Sequence, residues 1–246
     1  DIVHFILRNT ETLSAKRAQL IVCSLRSFFR FLYQKGETAN DLSPSALTVA
    51  NWRLSELPKF LESEQVERLL QSCNQDTLIG QRDYVILLLL ARLGLRAGDV
   101  VHMTLDDIDW EVGELIVCGK SHRQERLPLP HDIGEALVRY LSYGRPRCLS
   151  RRVFIRIRAP HKGFSSSVAI CNIVRRALVR AKLNPTFKGS HLLRHSLATQ
   201  MLRGGASLAE IGDILRHQRL NTTQIYAKVD FASLRALAQP WPGGDL

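Results

Sequence analysis

Apolar residues recur at helical spacing along most of this 246-residue chain, and two short runs, Glu114–Cys118 and residues 125–129, break the pattern as strands joined by a turn. The expected fold class is therefore mainly α with a small antiparallel sheet (α+β). A turn over residues 119–123 would hold Lys120 at the tip of the hairpin. The most apolar segment, residues 85–90, lies in a helix expected over 82–93 that Gly94 should stop. It is far shorter than the roughly 20 residues a membrane span needs. Ser63 is the N-cap candidate ahead of Val66, Leu69 and Leu70, and a short helix follows Gly98. Helical patterns resume at residues 132–140, 167–181, 191–203 and 207–216, with Gly204 and Gly205 separating the last two.

Ahead of this domain, Ala18, Ile21, Val22, Leu25, Phe28, Phe29 and Leu32 repeat at helical spacing, with Arg17, Arg26 and Arg30 between them and Gly36 as the stop. Pro44 and the irregular run to Pro58 read as a linker, which puts the domain boundary near Ser55. The expected division is a partial helical element over 1–54 and a larger domain over 55–246. Because the chain opens at Asp1 and enters a helical pattern almost at once, preceding residues are expected to be missing.

Lys and Arg number 34 against 23 Asp and Glu, a net charge of +11 that favours a polyanionic partner. The bias is concentrated. Residues 136–209 contain no Asp or Glu, and Arg145, Arg147, Arg151, Arg152, Arg156, Arg158 and Lys162 lie close together, as expected of a segment running along phosphates. A solvated basic loop is the plainer reading of the same run. The five cysteines are scattered and odd in number, which fits a reducing compartment better than a disulfide framework or a metal cluster. With no secretory signal at its start, the chain is expected to be cytoplasmic, with no membrane association.

His191 lies three residues before Arg194 and four before His195, both same-face spacings on a helix. Two histidines so spaced can bind zinc, but the metalloprotease pattern needs Glu where Leu192 stands, so no metal is expected. The other reading is a His and an Arg offered together to an anion, for which the forked guanidinium suits phosphate. By itself the pair is as readily structural.

It gains meaning from its company: Gly94-Leu95-Arg96, Gly119-Lys120, His191-Leu-Leu-Arg194-His195, Leu215-Arg216-His217 and Thr222-Thr223-Gln224-Ile225-Tyr226 occur in one order. In these motifs and their spacing the chain resembles the tyrosine recombinase (phage integrase) family, over about residues 58–229. The segment Ser24-Leu-Arg-Ser-Phe-Phe-Arg-Phe-Leu32 is similar to the later part of that family's helical core-binding domain. The resemblance implies Tyr226 as nucleophile, Arg96 and Arg194 as phosphate clamps, His191 and His217 as further phosphate-side donors, and Lys120 as proton donor to the leaving oxygen. It makes His191 the candidate for removing the tyrosine proton. Asp99 is expected to orient Arg96 by a charge-assisted hydrogen bond. His195 and His122 are read as structural or solvent-facing. The chain departs from the family at Arg216, where glycine is common, and at Arg92-Leu93, where a small polar residue is frequent.

The function implied is site-specific DNA recombination through a covalent 3′-phosphotyrosine, with no cofactor and no metal. Two alternatives use the same scaffold: a non-catalytic DNA-binding protein, and relaxation of DNA in the manner of a type IB topoisomerase. Double-stranded DNA is the expected partner, with self-association into a synaptic tetramer and accessory recombinase or DNA-bending proteins. Arg17, Arg26, Arg30, Arg145, Arg147, Arg151, Arg152 and Arg216 are the candidate DNA contacts. After Tyr226, Phe231, Leu234, Leu237 and Ala238 form a short apolar stripe ending at Pro240, expected to pack either on its own domain or on a neighbouring protomer.

Overall fold

The computed structural model describes residues 4, 5, 8, 13, 15–48, 58–118, 124–217 and 222–229. They belong to two compact units, Asp1–Glu56 and Leu57–Leu246. Among the described residues of the first unit, helix α1 (Ala15–Gln34) is followed by a 3₁₀ turn at Ser43–Ser45. Ala18 and Val22, four apart on one face, are buried, and Val22 packs with Leu25 and Ala46. The rest of the expected stripe is less covered, and Phe28 is exposed together with Leu20, Phe31 and Tyr33. Gly36 closes the helix with φ +76°, a left-handed conformation that suits glycine.

The second unit is built around α3 (Leu78–Arg92), which meets α2 (Ser63–Gln71), α4 (Ala97–His102), α5 (His131–Arg139), α6 (Ser167–Arg180) and α7 (His191–Arg203). Its residues 85–90 are at most 1% exposed, since a helix apolar on every side has to be enclosed on every side. Burying each such leucine contributes about 1.5–3 kcal/mol. The helix starts four residues before the expected 82, because Thr77 caps it by accepting the Gly80 N–H at 3.0 Å. Leu78 and Ile79 in its first turn are exposed and lie outside the buried apolar run, so the apolar pattern did not reach back to that start. Arg82 is buried within it, paired with Asp83 at 2.7 Å and lying over the Phe164 ring. At α2 the capping residue is Glu62, not Ser63: the Glu62 N–H donates to Gln65 Oε1 at 3.0 Å, and Ser63 is already helical.

The sheet is antiparallel, in the order β1 (Ile108–Asp109), β2 (Glu114–Cys118), β3 (Gln124–Pro128). Strand β1 is too short for any periodicity to announce it, and β3 starts one residue before the expected 125. Its register sets Leu115 opposite Leu127 and Val117 opposite Glu125, so these side chains share the face turned to the core. Beyond α7 come α8 (Leu208–Ile214) and a 3₁₀ helix at Gln224–Val229. Lys120 and its turn, His122, the boundary near Ser55 and the tail stripe from Phe231 to Pro240 lie outside the described residues. Among the described residues no helix is long and apolar enough to cross a membrane.

Candidate active site

The site forms where the end of α3, the start of α7 and the turn after α8 meet. Gly94 leaves α3 with φ +57°, and a Cβ there would sit 2.7 Å from Leu215 Cδ2 and 3.0 Å from Leu197 Cδ2. The missing side chain lets the backbone approach closely enough for the Gly94 carbonyl to accept from Arg194 Nη1. Arg194 Nη2 donates to the Leu215 carbonyl, and the residue is 4% exposed. Arg96, two residues after Gly94, donates from Nη2 to the Arg216 carbonyl at 2.8 Å. Both guanidinium groups are thus held by consecutive carbonyls of one turn.

Asp99 makes its charge-assisted hydrogen bond to Arg96 through the backbone and not through the guanidinium. Its Oδ2 accepts the backbone N–H of Arg96 at 3.0 Å, capping α4, and its guanidinium partner is Arg216, whose Nη2 lies 2.7 Å away. The difference arises because an N3 carboxylate reaches back to its own helix end, while Arg216 comes from a distant turn that no local spacing reveals.

His217 follows in that turn, its Nδ1 2.7 Å from Thr223 Oγ1. Tyr226 sits in the 3₁₀ helix at 1% exposure and packs with Ala198, Ile211 and Leu215. Its hydroxyl is 2.8 Å from His195 Nδ1, and the two rings meet edge-on at 5.6 Å. His195, read from sequence as structural, is therefore the histidine against the tyrosine oxygen. His191, one turn earlier, is exposed, with its ring centroid 6.3 Å from that of His195. The four-residue spacing of the histidines was the available signal for His195. Thr223 stood within the Thr222-Thr223 motif without a role. Among the described residues no three His, Cys, Asp or Glu side chains form a metal-holding group.

Burial sets the ionisation of the cluster. It pushes Tyr226 up to about 12, with Arg194 acting in the opposite sense. It pulls His195 down to about 4, helped by His191 and Arg194, and His217 down to about 4, helped by Arg194 and Arg96. Arg194 falls to about 10 through burial and the neighbouring Arg96, and so stays charged at neutral pH. Both histidines are neutral in the folded chain between about 4 and 6.5, where unfolded histidines take up protons. Stability is then fully present above pH 6.5 and falls as pH drops from 6.5 towards 4, with about two protons bound on unfolding. Denaturant melts across that range check this; an unchanged midpoint between pH 7 and pH 5 would contradict it.

The basic residues singled out from sequence divide by their partners. Arg26 donates to the Ala46 carbonyl at 3.0 and 2.8 Å and to Thr48, stapling the 3₁₀ turn to α1. Arg145 reaches the carbonyls of Ser150, Arg152 and Val153, stapling its own loop. Arg151 pairs with Asp106 on the surface, and Arg152 donates to the His102 carbonyl. Arg17, Arg30 and Arg147 are exposed.

A family model described as the phage integrase family matches residues 59–233. The Sinorhizobium fredii protein y4rA, provisionally named an integrase/recombinase, is 49% identical over 243 residues, covering 99% of this chain and 59% of its own length. A second S. fredii protein, y4rF, is 36% identical over 89% of this chain and 52% of its own length. The chain thus spans between half and three-fifths of these two relatives. The tyrosine recombinase XerD of Proteus mirabilis is 33% identical over 94% of this chain and 74% of that protein. Among solved structures, the XerH recombinase in a post-cleavage complex with a palindromic difH substrate superposes with a TM-score of 0.79 at 20% identity, over 97% of this chain and 71% of that one. A lambda integrase dimer on a COC′ core site gives 0.69 at 18%, over 92% of this chain and 63% of that one. The fold is shared with both structures, and on the family match and the identity to XerD this chain belongs to the phage integrase family.

Proposed function

We propose that the chain carries the catalytic part of a site-specific DNA recombinase that cuts and rejoins strands through a covalent bond between Tyr226 and a backbone phosphate. The observation that carries this reading is the convergence of Arg96, Arg194, His195, His217 and Tyr226, from four separate stretches of chain, into one bonded cluster. Named relatives that are tyrosine recombinases, and neighbours of the same fold in complexes with DNA, support it.

The tyrosine oxygen attacks phosphorus, forming the 3′-phosphotyrosyl ester as the bond to the 5′-oxygen breaks. The tyrosine proton passes to His195, whose ring is neutral at neutral pH and whose Nδ1, at hydrogen-bond distance, accepts it in the tautomer that carries the ring proton on Nε2. The departing 5′-oxygen takes a proton from Lys120. Negative charge growing on the non-bridging oxygens is met by Arg96 and Arg194, with His191 and His217 as further donors. At 1% exposure Tyr226 cannot touch DNA as placed, so the Gln224–Val229 helix has to shift to present the hydroxyl.

Residues 1–54 are assigned as part of a helical DNA-binding domain, and the remainder as the catalytic domain. Arg17, Arg30, Arg147 and Arg151 are the phosphate contacts. The Arg151–Asp106 pair is exposed and screened by solvent and can be exchanged for a phosphate, whereas Arg26, Arg145 and Arg152 are held by internal carbonyls. Assembly on two sites is into a synaptic tetramer.

Because two arginines supply the charge that a divalent ion supplies elsewhere, cleavage is expected to proceed without one. Chelator-treated protein should form the covalent adduct on a suicide duplex at an undiminished rate. Loss of the adduct in EDTA, restored by magnesium, is the result that overturns a metal-free mechanism.

A further inference from the structure

Position 216 carries an arginine at φ +54°, in the left-handed region where a side chain costs about 1 kcal/mol relative to glycine. That side chain is 5% exposed. Its Nη2 donates to Asp99 at 2.7 Å, its Nε lies 3.8 Å from the Glu125 carboxylate, and Nε and Nη1 are buried without a hydrogen-bond partner among the described residues. Glu125 faces this way because the strand register places it opposite the buried Val117. Arg216 therefore faces both carboxylates of the site, while Arg96 and Arg194 are held through carbonyl oxygens.

Asp99 accepts the Arg96 backbone N–H at 3.0 Å, which places its carboxylate at the root of the Arg96 side chain. A carboxylate paired with that guanidinium would occupy the donors meant for phosphate and repel the incoming anion. We propose that Arg216 is a positioning residue that keeps Asp99 off Arg96, and that its own carbonyl, presented by the left-handed turn, aims the Arg96 guanidinium at the scissile phosphate. The inference rests on the recombinase reading above. It makes the departure from glycine at this position a device for leaving Arg96 uncompensated until DNA arrives.

The test is a double-mutant cycle read by adduct formation on a suicide duplex, with thermal unfolding of each variant alongside. Arg216→Gly removes the guanidinium and relieves the left-handed backbone, and is expected to slow cleavage by roughly tenfold or more as Asp99 captures Arg96. Asp99→Asn keeps an oxygen to accept the Arg96 N–H but carries no charge. The double variant is expected to recover to within about threefold of the Asp99→Asn single variant, because the competing anion is gone. A part that merely supported the fold would gain nothing from the second substitution. Arg216→Lys, which retains a charge, serves if the glycine variant does not fold: it should lose less activity and recover in the same way. Wild-type rates for Arg216→Gly, or a folded double variant no faster than Arg216→Gly, overturn the proposal. A wild-type chain that forms no adduct at all overturns the recombinase reading and this inference with it.

Discussion

Tyr226→Phe is expected to abolish covalent attachment to DNA, with a loss on the order of 10⁴-fold or more, the scale seen when a nucleophile is removed. The ring remains to fill the cluster with Ala198, Ile211 and Leu215, so the fold should survive. What goes is one oxygen and its hydrogen bond to His195, worth about 0.5–1.5 kcal/mol. DNA binding should change little, since Tyr226 is 1% exposed and contributes no charge to the surface. Incubation with a suicide duplex followed by denaturing electrophoresis reads the adduct, and a native gel shift reads binding. An adduct of normal yield from the phenylalanine variant sinks the assignment of Tyr226, and with it the reaction.

Arg96→Ala and Arg194→Ala should each slow cleavage by about a hundredfold or more, the usual scale for one transition-state donor. Their effects on stability should differ. Arg194 is 4% exposed and joins the Gly94 and Leu215 carbonyls, so its removal leaves buried acceptors unsatisfied, at about 1–3 kcal/mol for such a group. For a domain of this size that is a fall of roughly 5 °C in melting temperature. Arg96 is half-buried and joins a single carbonyl, so its variant should melt near the wild type. Cleavage within tenfold of wild type for both variants would remove the clamp from the mechanism. Equal destabilisation of the two would contradict the bonding described for Arg194.

Much of the site was legible before the fold. Arg96, His191, Arg194, His217 and Tyr226 stand in ordered motifs that resemble the tyrosine recombinase family, and local signals such as Gly94 at the end of α3 and the same-face spacing of His191 and Arg194 on α7 place some of them in the fold. The apolar pattern likewise placed the central helix, since residues 85–90 have no polar side to give to water.

What no local pattern held is which of these groups touch. His195 and His191 are equivalent by periodicity, and the packing of the 3₁₀ helix at Gln224–Val229 against α7 selects His195 as the neighbour of the Tyr226 hydroxyl. Asp99 is three residues from Arg96 and 117 from Arg216, yet its charge pairs with the distant one, because the local carboxylate is drawn to the helix end while the turn after α8 delivers a guanidinium beside it. Arg145 and Arg26 look in sequence like any other basic residue, and become staples because nearby carbonyls turn towards them. Helix ends, core faces and residue chemistry follow from interactions a few residues long, so the sequence by itself determined them. Charge partners and the tyrosine's neighbour depend on contacts between residues far apart in the chain, and the tertiary structure alone decided those.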